Sequence, residues 1–246
     1  MKMNRTIYIY WDGPCHSLIE ILKDLIYLHA DSGKGYKVKL LNQENVKDYV
    51  DDLPKYFSSL KPAHRADFAR VCTLRKNGGI WLDLDTLVLG SLDCLFDTIE
   101  EKEGFFLLEN NKNICNGFFG TKKETRIMKV WENIMREKID KHKTNIEWTE
   151  IGNNILYKLS IEQPDLYTNY KFFNGLDTVQ PVPLGRSVKA YLKKPYDFYR
   201  NITRDYQPLL VLNQNIYKNL RGMTKQDILN AEMPINYFIN KSLNGK

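Results

Sequence analysis

Residues 62–89 read PAHRADFARVCTLRKNGGIWLDLDTLVL, and that run decides the fold. Pro62 suits the first turn of a helix, where its missing N–H costs nothing. The segment AHRADFARVCTLRKN carries the helix forward, and Gly78-Gly79 is the expected kind of C-terminal stop. A short apolar strand, Ile80–Leu82, follows and runs straight into Asp83-Leu84-Asp85, after which Thr86–Leu89 is again strand-like. Helix, glycine stop, buried strand and paired carboxylates describe an α/β fold. Open sheets of this class bind ligands beyond the carboxyl ends of their strands, which is where Asp83 and Asp85 fall.

The surrounding sequence agrees. Thr6–Trp11 (TIYIYW) is β-branched and aromatic, and Asp12-Gly13-Pro14 marks a turn. From Ser17 to His29 the apolar residues Leu18, Ile19, Ile21, Leu22, Leu25, Ile26 and Leu28 recur at helical spacing. Gly33 and Gly35 end that helix, Tyr36–Leu41 alternates as a strand, and a short acidic helix is expected around Glu44–Val50. This order predicts parallel strands with right-handed crossovers. Downstream, Phe105–Leu108 and Gly117–Phe119 read as strands, Ile127–Ile139 and Asn153–Ile161 as helices. The last third mixes aromatic loops with a strand at Leu209–Leu212 and a helix at Lys225–Asn230. With no repeat, linker or low-complexity stretch, one domain spanning 1–246 is expected.

Composition narrows the function classes. The 246 residues are 43% hydrophobic and 27% charged, the balance of an ordinary globular protein. No long uncharged apolar run marks a membrane span, and the opening MKMNRTIYIYWDGP has too short an apolar stretch for a signal peptide. Cys15, Cys72, Cys94 and Cys115 are scattered without a C-x-x-C pair, and His16, His29, His64 and His142 show no metal spacing. This argues against a zinc site or disulfide framework and for free thiols in a reducing cytosol. The net charge of +6 is uneven, because residues 181–246 hold eleven Lys/Arg against four Asp/Glu. Such a basic segment suits an anionic partner or is simply a solvated face.

The chemistry concentrates in the opening stretch. Asp83 and Asp85 alternate at a strand end, and one or both would hold a hard cation such as Mg²⁺ or Mn²⁺ that bridges to a diphosphate. By itself a D-x-D is a weak signal. Asp67 and Arg70, three apart on the preceding helix, share a face. They sit among Phe68, Ala69, Val71 and Cys72, where a charged pair calls for a purpose beyond a surface ion pair. An Arg fork also suits a phosphate.

From Ala63 to Asp85 the chain has the form A-x-x-A-D-x-x-R-x-x-x-L-x-x-x-G-G-x-W-x-D-x-D. This resembles the signature of retaining, sugar-nucleotide-dependent glycosyltransferases: capsular polysaccharide synthesis enzymes, yeast initiating mannosyltransferases and the large glucosylating toxins. Looser likeness runs from Ile7 to about Gly120, with Asn215-Ile216-Tyr217-Lys218 similar to a segment of some bacterial members. The resemblance implies a GT-A-type, Rossmann-like nucleotide-binding domain with a mixed central sheet and helical C-terminal additions, residues 1–120 forming the donor core and 121–246 the acceptor side. It implies that Trp11 stacks on the base and Asp67 accepts from sugar hydroxyls. Arg70 would hold the diphosphate or sugar, Trp81 the aromatic position before the motif, Asp83 the ribose and sugar, and Asp85 the metal, with Asp83 beside it. Ile9, Gly79 and Leu84 complete the implied donor contacts, Gly78 and Gly79 allowing a tight backbone turn, and Asn116-Gly117 lines the acceptor side or forms a plain turn. The implied reaction moves a hexose from a nucleotide sugar, a uridine diphosphate hexose being favoured, to a glycan or lipid-linked glycan.

Departures fall on the acceptor side. The family's I-H-x-I-W is here I-Y-I-Y-W, a later T-G-P is Ile151-Gly152-Asn153, and the C-terminal His has no clear match near Leu212-Asn213. The rival readings are a haloacid dehalogenase-type phosphohydrolase and a sugar-nucleotide-binding module without turnover. The former needs D-x-D-G-T, whereas Thr86 follows Asp85 directly. No nucleic-acid motif accompanies the tyrosines and basic residues of the last third. Its basic residues between 186 and 225, with Lys193, Lys194, Arg200 and Arg204 foremost, suggest peripheral contact with the inner face of the cytoplasmic membrane.

Overall fold

The computed structural model describes residues 5–30, 35–109, 113–174, 209–211, 220–231 and 234–244. These fall into two compact units. The first is drawn from Met1–Asp12, Tyr36–Asp83 and Cys94–Phe173, the second from Gly13–Gly35, Leu84–Asp93 and Asn174–Lys246.

The first unit holds β1 (Thr6–Tyr10), β2 (Lys37–Leu41), α2 (Pro62–Asn77), β3 (Gly79–Leu82), most of α3 (Asp93–Glu101), β5 (Gly104–Glu109), β6 (Asn113–Thr121), α4 (Arg126–His142), α5 (Asn153–Glu162) and β7 (Tyr170–Asn174). Its sheet has the order β2-β1-β3-β6-β5-β7. β1 pairs parallel with β2 and β3, whereas β6 pairs antiparallel with β3 and β5, so the sheet is mixed as expected. β1 and β3 are buried at every position, the pattern of strands covered on both faces.

The helix α2 begins on Pro62 and ends where the Gly78 N–H donates to the Leu74 carbonyl at 2.8 Å. It is buried on most sides from Asp67 through Leu74. Against it packs α4, whose Ile127, Met128, Trp131, Met135 and Ile139 recur at helical spacing on one buried stripe. A core of Phe68, Trp81, Phe106, Phe119, Trp131 and Tyr170 joins helices to sheet. Gly79, at φ +111°, begins β3 so close to β1 that a Cβ there would lie 2.5 Å from the Thr6 carbonyl oxygen. That close approach explains the second glycine of the stop.

The second unit contains α1 (Ser17–Ala30), β4 (Thr86–Val88), β8 (Leu209–Val211), α6 (Lys225–Asn230) and α7 (Pro234–Asn244). β4 and β8 pair antiparallel, α1 packs on β4 and α6, and α7 packs on β4 and α6. A buried chain of hydrogen bonds ties it together. Ser242 donates to the Val88 carbonyl, which leaves its oxygen to accept from His29 Nε2 at 3.0 Å.

Two expectations change. The acidic helix at Glu44–Val50 is only a 3₁₀ turn, Val46–Asp48. Asn42 and Asn45 occupy the preceding backbone with side-chain hydrogen bonds, Asn42 Oδ1 accepting from the N–H groups of Glu44 and Asn45, which competes with helix. Gly117–Phe119 is part of a longer strand, β6, whose register against β5 jumps between Phe106↔Phe119 and Leu107↔Cys115. Extra residues on one strand form a bulge, the usual device for re-aiming side chains beside a site. The segment Asn215–Lys218 and the basic residues Lys193, Lys194, Arg200 and Arg204 lie outside the described residues. None of the four cysteines forms a disulfide, and no helix among the described residues is long and apolar enough to cross a membrane.

Candidate active site

Because α2 leads directly into β3, the first half of α2 lies at the carboxyl end of β3, next to Asp83. Asp67 and Arg70 share one face of α2, and Arg70 Nη1 meets Asp67 Oδ1 at 3.1 Å. Its Nη2 donates to Asp83 Oδ1 at 2.8 Å and Oδ2 at 3.1 Å. One guanidinium therefore bridges a carboxylate on the helix and one at the strand end. Its side chain is 6% exposed, whereas Asp83 is 33% exposed and opens outward.

Trp81 is fully buried, yet its Nε1–H donates to Asp83 Oδ1 at 2.7 Å and its ring lies 5.6 Å from the Arg70 guanidinium carbon. The aromatic position before the carboxylate thus aims it from below. The β6 bulge completes the frame: the Asp83 N–H donates to the Gly117 carbonyl at 2.8 Å, and Asn116 Nδ2 donates to Asp67 Oδ1 at 2.9 Å. Asn116 is therefore a strand residue facing the cluster, not a plain turn.

Two glycines are required by proximity. A Cβ on Gly117 would stand 2.6 Å from Asp83 Oδ2, and one on Gly152 would stand 2.2 Å from Asn116 Nδ2 and 3.2 Å from Asp67 Oδ1. Asn153 Oδ1 accepts from the Asn116 N–H at 3.2 Å. The Ile151-Gly152-Asn153 turn, read from sequence only as a departure from T-G-P, is thus part of the cluster's wall. Its signal was the Gly-Asn pair at the start of a helix.

Burial raises the Asp67 carboxyl to about 6, with the nearby Asp83 charge acting in the same direction and Arg70 and Asn116 opposing it. The ion pair with Arg70 is real in geometry, but desolvation of a fully enclosed carboxylate outweighs it. Asp67 is consequently poised to change charge near neutrality.

The remaining expected residues divide. Trp11 closes β1, its N–H donating to the Leu41 carbonyl at 3.0 Å, and is partly exposed. Ile9 is fully buried in β1, so any ligand contact from that position runs through backbone. Gly78 and Gly79 lie at the opposite end of β3 from Asp83, against Lys123 and Thr6. Leu84 is buried and Asp85 partly exposed, both in the second unit. Sequence reading missed Asp12 and Arg65. Arg65 Nε donates to Asp12 Oδ2 at 2.8 Å, the Gln43 N–H donates to Asp12 Oδ1 at 2.8 Å, and Tyr10 donates its hydroxyl to the same carboxylate. This partly buried link ties the end of β1 to the loop after β2.

Among the described residues no three His, Cys, Asp or Glu side chains cluster as a metal cage. A hard cation bound through one or two carboxylates, with substrate phosphates completing its shell, needs no such cage. Asp83 Oδ1 already accepts from Arg70 and Trp81. The lone pairs of Asp83 are therefore partly committed before any cation arrives.

The model of the capsular polysaccharide synthesis protein family matches residues 1–181. Among solved structures, a glycosyltransferase involved in the glycosylation of the major capsid of PBCV-1 is 13% identical, with 89% of this chain and 98% of that chain covered and a TM-score of 0.52. The apo-form glycosyltransferase GlyE of Streptococcus pneumoniae TIGR4 is 16% identical over 93% of this chain and 63% of that one, with a TM-score of 0.49. The PaToxG glycosyltransferase is 15% identical over 66% and 70%, with a TM-score of 0.47. No curated protein sequence matches. The matched residues take in the whole Asp67–Arg70–Asp83 cluster, and the chain belongs to the capsular polysaccharide synthesis protein family, built on the GT-A fold of the glycosyltransferases.

Proposed function

We propose that this glycosyltransferase of the capsular polysaccharide synthesis family moves a hexose from a nucleoside diphosphate sugar, a uridine diphosphate hexose by resemblance, to a glycan acceptor in surface polysaccharide synthesis. The observation that carries the reading is Arg70, bridged between Asp67 and Asp83 where β3 ends.

The chemistry follows from charge. As the bond from the anomeric carbon to the β-phosphate oxygen breaks, negative charge grows on that oxygen. Arg70 supplies a positive charge already fixed in position, which is most effective in a low-dielectric site. Asp67 and Asp83 orient its fork, and their remaining lone pairs accept from donor hydroxyls. Mn²⁺ or Mg²⁺ held by Asp85, with Asp83 as the neighbouring carboxylate, would add Lewis-acid stabilisation of the leaving diphosphate. No carboxylate is assigned as a covalent nucleophile. Resemblance to the retaining glycosyltransferases favours attack on the face from which the diphosphate leaves, with retention, the departing phosphate taking the acceptor hydroxyl proton. Asn116 faces the acceptor side, and Trp11 stacks on the base. The whole chain acts as one transferase domain, and Lys193, Lys194, Arg200 and Arg204 contact an anionic membrane face. Pelleting with anionic vesicles that weakens at high salt checks that contact; pelleting that is absent or indifferent to salt overturns it.

A phosphohydrolase would need Asp83 as a free nucleophile. Its two bonds from Arg70 and one from Trp81 favour the transferase reading instead. The test is nucleoside diphosphate release from a panel of sugar nucleotides, with Mn²⁺ or chelator, on the wild type and Asp85→Ala. Metal-dependent release from one donor, lost in the variant, is expected. No release and no calorimetric binding of any donor overturns the reading.

A further inference from the structure

Trp148 is 64% exposed, the most exposed of the large hydrophobic side chains among the described residues. Exposure on a mobile loop would mean little, but this loop is pinned on both sides. Ile146 and Ile151 are buried in the core, and Trp131 Nε1–H donates to the Ile151 carbonyl at 3.0 Å. Glu150 accepts from the Glu147 N–H at 3.0 Å and from Lys138 at 3.1 Å. The backbone on both sides of the indole is thus fixed, which sets where Trp148 stands relative to the site.

Two tethers set where that indole stands. The Glu147 carbonyl lies 3.2 Å from His64 Nε2, one turn before Asp67 on α2. Four residues beyond Trp148, Gly152 lies so close to the cluster that a Cβ there would stand 2.2 Å from Asn116 Nδ2 and 3.2 Å from Asp67 Oδ1. Four residues span at most roughly 14 Å, so Trp148 stands within about two or three sugar units of the Asp67–Asn116 cluster. The flat, electron-rich face of an indole suits the C–H face of a pyranose, whose hydrogens carry partial positive charge. The loop 144–152 carries no Lys or Arg, Glu147 adjoins the indole and Glu150 is paired with Lys138 at 3.1 Å, so no basic patch in the loop draws an anionic lipid surface and a neutral glycan is the fitting occupant.

We propose that Trp148 is a stacking platform for the acceptor glycan, holding a sugar remote from the hydroxyl that is glycosylated. This rests on the glycosyl-transfer reading, and its binding arm is independent of turnover. Titration of the protein with lactose, maltose and cellobiose, followed by tryptophan emission and calorimetry, should give millimolar binding of at least one. That binding should weaken about tenfold or more in Trp148→Ala and be largely restored in Trp148→Tyr. Once the donor is known, the ratio of transfer onto the bound saccharide to donor hydrolysis should fall at least tenfold in Trp148→Ala. Tyr157→Ala, which removes another exposed aromatic on α5, should leave both readouts as in the wild type. Saccharide binding unchanged in Trp148→Ala, no binding of any of the three, or loss instead of anionic-vesicle binding each overturns the proposal. Failure of donor turnover in the wild type with saccharide binding intact overturns the transferase reading alone.

Discussion

Arg70 and Arg75 lie on the same helix and each gathers carboxylates, yet the two clusters differ in kind. Arg70 is enclosed, and its partners are Asp67 beside it and Asp83 at the strand end. Arg75 sits where α2 ends, donating to Glu132 on α4 at 2.5 Å, to Glu124 at 2.7 Å and to Asp51. Around Arg75 the hydrogen bonds hold the exposed carboxyls of Asp51 and Glu124 below their usual range. Around Arg70 burial drives Asp67 the other way. The same residue types therefore make a clasp between elements at one end of a helix and a tuned, partly desolvated charge at the other. What separates them is access of water, which decides whether the pair or the desolvation dominates.

The sharpest way to break this contrast is to exchange what each arginine loses. Arg70→Lys keeps the charge but removes the fork, and donor turnover should fall by about 10²–10³ with a small change in melting temperature. Arg75→Met should do the reverse, costing about 1–3 kcal/mol of stability with turnover within about twofold. Parallel losses in both variants would make Arg70 merely structural. Next in size is Gly152→Ala. Its Cβ would displace Asn116 from Asp67, and turnover should fall about tenfold while the acid limb of the pH–rate profile moves to higher pH. An unmoved limb would mean that Asn116 does not tune Asp67.

The pH dependence of stability should then show opposite signs in the two clusters. The Asp67 pKa is raised, so its protonated form favours folding. That contribution is full below the ordinary carboxylate pKa and lost as pH rises through about 6. Asp67→Asn should raise the melting temperature at pH 8 by a few degrees relative to the wild type, with little effect at pH 4. The lowered pKa values of Asp51 and Glu124 give stability that is present above the ordinary carboxylate range and lost on acidification, so Arg75→Met should matter most above pH 5. Thermal melts from pH 4 to 8 check both signs. The smallest effect belongs to a neutral network: Ser242→Ala, which breaks the His29–Ser242–Val88 chain of the second unit, should cost about 1 kcal/mol.

Much of the fold was legible where pattern and punctuation agree. The α2 run with its proline start and glycine stop, the apolar period of α1, and β1 all stand where sequence expects them. The misses have local causes. α3 is short, although Leu95, Phe96 and Ile99 have helical spacing. α7 buries Ile235, Phe238, Ile239 and Ser242 along one face, a period hidden by the asparagines and tyrosine between them. For the candidate site, the pairing of Asp67 with Arg70 could be read from the helical repeat. The Asp12–Arg65 link and the approach of Gly152 could not, because their partners are far apart in the chain.

The sequence by itself determined the class of the protein. Its periodicities specify alternating strands and helices, and the spacing from Ala63 to Asp85 puts acid and arginine on a helix and two alternate carboxylates after the strand that follows it. Those are local relations, dictated by backbone repeats of a few residues. Only the tertiary structure decided that Arg70 rather than Arg75 is sealed from water, that a bulge in β6 turns Asn116 onto Asp67, and that a pinned loop offers Trp148 to solvent. Each depends on which distant segments pack together, and desolvation, the force that sets the charge of Asp67, arises only when they do.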